Sequence, residues 1–168
     1  MGAFGTGGVG MDEVVLARAL HVLAVVIWIG GAAMATSVIL PAIRRGHLGH
    51  DRLKAFHAIE RRFIWQARTA VIIVGITGFY MVARLDLWGR FSSATFWWMH
   101  AMVGVWLLFM FVLFVAEPLI LRRHFHGWAT ARPKLTFAWL QGAHWLLVGL
   151  SLITILGAVA GSHGWSLF

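Results

Sequence analysis

Cysteine is absent from the 168-residue chain. Its absence excludes disulfides, cysteine-ligated iron–sulfur clusters and thiolate metal sites. Charge is scarce as well: only 12% of residues are charged, although the balance is strongly basic at +8. Nucleic acid would need a soluble basic face, which this sequence lacks, so nucleic acid is not an expected partner. The glycine-rich opening Met1–Gly10 lacks the positive n-region of a secretory signal. It reads as a short tail, with the first apolar stretch acting as its own insertion signal. No internal repeat is evident, nor any low-complexity segment beyond that tail.

Apolar residues are abundant, making up 60% of the chain with a mean hydropathy of +0.81. Soluble domains hold ~45–50%. The excess predicts an integral membrane protein, and the length suits one domain over residues 1–168 with about four spans of ~20 residues or more. The expected architecture is an all-α four-helix bundle with spans at about 14–40, 63–83, 95–121 and 135–160. Pro41, followed by Arg44 and Arg45, marks the end of the first span. The polar stretch from Gly46 to Arg62 follows, part of it helical by the spacing of Leu53, Phe56, Ile59 and Phe63. A turn containing Asp86, Gly89, Ser92 and Ser93 separates spans two and three.

The loops set the expected orientation. Arg44, Arg45, Arg52, Lys54, Arg61 and Arg62 lie between spans one and two, and Arg122, Arg123, Arg132 and Lys134 between spans three and four. The middle loop has only Arg84 and Arg90. The positive-inside rule then places both termini on the outer, periplasmic side of a bacterial inner membrane, in a multi-pass protein. Trp88, Trp97, Trp98 and Trp165 fall near one boundary and Trp65, Trp128 and Trp139 near the other, as an aromatic belt requires.

Ionisable groups inside the spans are the candidates for chemistry, because burying them in lipid is costly. His21 and His100 lie at outer depths that differ by only ~3 Å at 1.5 Å per residue. Two imidazoles at one level of a bundle can grip a metal or supply axial nitrogens to haem iron. Arg18, one turn before His21, is placed to pair with a haem propionate. His144 lies deeper, ~15 Å from that level, and is a candidate for a second haem, a proton site or a quinone site. Arg68 and Glu117 match in depth and oppose in charge, which predicts a buried ion pair. The glycines Gly30, Gly31 and Gly104 suit either close helix packing or a flat ligand.

The segment Leu20-His21, six residues, then Trp28-Ile29-Gly30-Gly31 resembles the first helix of CopD-like copper resistance membrane proteins. It also resembles the opening helix of HemJ-type protoporphyrinogen oxidases, small four-helix haem-associated membrane proteins. The resemblance extends to Arg61-Arg62-Phe63 and to Trp98-Met99-His100. It implies a haem-related role for His21 and His100. Met102 stands where the oxidase family has a lysine, and the acidic-proline segment of that family is not recognisable.

The expected function is therefore that of a b-type haem protein of the membrane, moving electrons from a donor such as quinol, alone or with other membrane redox subunits. The alternatives are a CopD-like copper transporter using His21, His100 and methionine sulfur, or a HemJ-type protoporphyrinogen oxidase.

Overall fold

The computed structural model describes residues 6–47 and 52–165. Every major element is helical. Helix α1 (Thr6–Met34) passes through a π-helical stretch, Ala35–Ile39, into α2 (Leu40–Arg45). Helix α3 covers Arg52–Arg84, and two short 3-10 turns, Trp88–Ser92 and Ala94–Phe96, lead into α4 (Trp97–Phe111). A second π-helical stretch, Val112–Leu121, continues into α5 (Arg122–Ala131), and α6 covers Pro133–Ser162. Among the described residues, four segments are long and apolar enough to cross a membrane: Gly10–Arg45, Phe56–Arg84, Ala94–Leu121 and Pro133–Ser162, with mean hydropathies of 2.2, 1.4, 2.3 and 2.0. The chain is thus an all-α protein built for a lipid bilayer.

The packing explains why. Helix α1 runs along α3, and α4 runs along α6. One core joins Trp28 and Ile29 to Ala67, Val71, Val74, Phe109 and Leu113. A second, at the other end, joins Leu40 and Ile43 to Phe125, Phe137 and Leu140. Outside these cores the surface stays apolar: Leu16, Val26, Ile76, Leu146 and Leu156 are all more than half exposed. Contiguous apolar surface of that kind is out of place in water and expected against lipid, where helices satisfy their own backbone.

Two boundaries differ from the sequence expectation, and both have a physical cause. The first helix does not stop at Pro41 but continues to Arg45. The second span is the C-terminal part of a longer helix that begins at Arg52, so the basic stretch from Arg52 to Arg62 is a helical extension. The continuation through proline depends on the π-helical stretch before it. There the Leu40 N–H reaches back five residues to the Ala35 carbonyl. In that register the Thr36 carbonyl would take its proton from residue 41, which is proline and has none. Gln141 of α6 fills the place, its Nε2 3.4 Å from the Thr36 oxygen, while Arg44 donates to the Gln141 Oε1.

The same device recurs around Pro118. Five residues before it, the Leu113 carbonyl lacks its π-helical donor. Arg68 of α3 supplies two N–H groups instead, at 3.0 Å from Nε and 2.7 Å from the terminal nitrogen. That terminal nitrogen also meets Glu117 at 2.7 Å. The ion pair expected from matched depth is present, and it doubles as a backbone repair.

Glycine serves close approach at selected places. A Cβ on Gly75 would come within 2.7 Å of the Trp106 ring, and one on Gly31 within 2.7 Å of Phe63. Gly30 and Gly104 face open space instead. Trp98 is buried rather than lipid-facing, whereas Trp65, Trp88, Trp139 and Trp165 are exposed as a belt requires.

Candidate functional site

His21 sits on α1 where that helix packs on α3, and its ring is half-buried. Its Nδ1 lies 3.0 Å from the Thr77 hydroxyl oxygen. That hydroxyl has one proton, which goes to the Ile73 carbonyl at 2.6 Å. Towards His21 the oxygen can only accept, so Nδ1 carries the ring proton and Nε2 keeps its lone pair. Gly78 makes room for the ring: a Cβ there would stand 3.2 Å from the imidazole Cε1. A neutral imidazole with one nitrogen fixed by a hydrogen bond and the other free has the form of a metal-ligating histidine.

His100 opens α4 and is exposed. Its Nε2 donates to the Phe91 carbonyl at 3.0 Å, with the Phe91 ring edge-on at 5.5 Å. The free nitrogen of His100 is therefore Nδ1. Among the described residues no hydrogen bond or ring contact joins His21 to His100. Each binds its own neighbour, one on α3 and the other on the turn before α4. Nor do the described residues contain a cluster of three or more metal-ligating side chains.

Arg18 is exposed on α1. Nearby on the same helix, Glu13 accepts from Tyr80 at 2.9 Å and from Arg84 at 3.3 Å, tying α1 to the far end of α3. The sequence reading missed this cluster. Its signal was the carboxylate pair Asp12-Glu13 at the start of one span, with a tyrosine and an arginine one turn apart at the end of the next.

His144 lies in α6, deeper in the bundle. Its Nδ1 donates to the Leu140 carbonyl at 2.9 Å, which again leaves Nε2 with the lone pair. The ring lines a central cavity of about 60 Å³, to which α1, α3, α4 and the second π-helical stretch also contribute walls. Trp28 lines the same cavity, and its buried indole N–H has no hydrogen-bond partner among the described residues.

Four other histidines can be described. His57 pairs with Glu60 at 3.1 Å, and His124 donates to the Ile120 carbonyl while stacking on Trp128. His163 donates to the Val159 carbonyl, His47 is exposed, and His50 lies outside the described residues.

Comparison with protein-family models, with curated proteins and with solved structures finds no match to this chain.

Proposed function

We propose that this chain is a membrane-embedded b-type haem protein that transfers electrons, with His21 as its primary axial ligand. One observation carries the reading: Thr77 fixes the His21 tautomer so that Nε2, half-buried within a membrane span, is left as a donor atom. Iron bound there supplies one-electron redox chemistry. The protein's part is to hold the imidazole at a set height, keep it neutral and shield it with lipid-facing helices.

His100, exposed near the start of α4, would be the second histidine to hold the group. Arg18, exposed at the outer end of α1, pairs with a propionate. Quinol is the proposed donor, and both termini lie on the outer side of a bacterial inner membrane.

Absorption spectroscopy of the purified protein tests this. The expected result is a red protein whose Soret band sharpens on reduction, with resolved visible bands from six-coordinate haem. His21→Ala removes the haem, whereas His100→Ala leaves a five-coordinate, high-spin spectrum. A colourless protein that takes up copper stoichiometrically overturns the proposal in favour of copper transport.

A further inference from the structure

The cavity at the centre of the bundle is walled by Ala67, Phe109, Leu113 and Val148 together with Trp28 and His144. An apolar cavity of this kind ordinarily stays dry. Here two polar groups disturb that expectation. Trp28 is only 4% exposed, and its Nε1–H is, among the described residues, the buried side-chain polar atom left without a partner. The indole cannot easily turn away, because Phe109 packs edge-on against it at 4.6 Å and 88°. A donor buried without an acceptor calls for an explanation, commonly a bound molecule.

The opposite need comes from His144. With Nδ1–H committed to Leu140, its Nε2 is an acceptor.

We propose that the cavity binds a hydroxyl group, from water or from the head of a quinol, that accepts from Trp28 and donates to His144. The chemistry selects the class. A ligand that only accepts leaves His144 unmatched, and one that only donates leaves Trp28 unmatched. A hydroxyl does both with one oxygen. Size agrees: a water needs ~10–15 Å³ of such space, so a cavity of about 60 Å³ takes a few waters or the hydroxyl edge of a ring. The site uses neither His21 nor His100, so it stands or falls independently of haem binding.

The test follows the Trp28 indole N–H by NMR in detergent and in lipid nanodiscs, on protein labelled with nitrogen-15 at the indole. Trp28→Phe identifies the resonance by removing it. Should that variant not fold, Phe109→Leu identifies it by removing the ring-current shift. The expected result is a hydrogen-bonded N–H whose shift moves in His144→Leu. A cross-peak to water assigns the hydroxyl to water. A shift lost on extracting lipophilic molecules and restored by a short-chain ubiquinol assigns it to quinol. An N–H that is free, as in an apolar solvent, overturns the proposal. So does a bonded N–H that shows no water cross-peak and no response to ubiquinol.

Discussion

Thr77→Val keeps the shape beside His21 but removes the hydroxyl oxygen that lies 3.0 Å from its Nδ1. With the tautomer no longer fixed, the ring can present either nitrogen. Loss of such an outer partner weakens metal binding ~10–100-fold. Haem titration of the apo-protein should show a weaker complex of that order, with helix content unchanged by circular dichroism. If affinity is unchanged, Thr77 does not orient the ligand. His21 stood out in the sequence because an ionisable group inside a lipid span is costly. Thr77 did not, although it stands ~7 residues from the end of its helix, at a depth like that of His21. A threonine in a span usually bonds its own helix, as Thr77 also does with Ile73. The second role needed the neighbour's position. His100 shows the same limit: counting residues gives depth, but not the rotation of each helix about its axis, and rotation decides what a ring meets.

Single elements show how polar side chains make proline tolerable inside lipid. Pro41 and Pro118 each leave a carbonyl five residues back without its donor, and each vacancy is filled from another span, by Gln141 and by Arg68. Polar groups freed by proline in a membrane are satisfied in this way by neighbours. The two contacts differ in strength. Arg68→Leu strands both the Leu113 carbonyl and the Glu117 carboxylate, and breaking a buried pair costs ~3–5 kcal/mol. Glu117→Gln leaves Arg68 on Leu113 and still offers it an amide oxygen, so its cost stays nearer ~1 kcal/mol. Gln141→Leu loses two interhelical contacts, the long one to the Thr36 carbonyl and the one from the exposed Arg44, each worth ~0.6 kcal/mol and at most ~2. Unfolding in mixed micelles, followed by helicity, should show the largest loss for Arg68→Leu. Equal losses for Arg68→Leu and Gln141→Leu would refute the backbone role of Arg68. The Arg68–Glu117 pair could be foreseen from charge and depth. Its bond to Leu113 could not, because nothing in the sequence announces that the helix around Pro118 takes a π-helical register.

The whole molecule was the most legible level, since hydropathy alone marks four crossings and the structure has four matching helices. Orientation is a separate matter, set by the loops. Arg45, Arg61 and Arg62 on one side, with Arg123, Arg132 and Lys134, outweigh Arg84 and Arg90 on the other. Translocating a basic loop is disfavoured, which is the ground for proposing that the side rich in arginine stays in the cytoplasm. The lack of native cysteine makes this directly testable, because any thiol introduced is the sole one in the chain. Ser92, exposed in the turn between α3 and α4, and His47, exposed after α2, lie on opposite sides if the four crossings are right. In intact cells a membrane-impermeant maleimide should label Ser92→Cys and spare His47→Cys until the membrane is permeabilised. The reverse pattern would invert the proposed topology and put Arg18 and Glu13 on the cytoplasmic side. Labelling of both in intact cells would mean that an odd number of spans does not separate the two sites, which is incompatible with α3 crossing the bilayer.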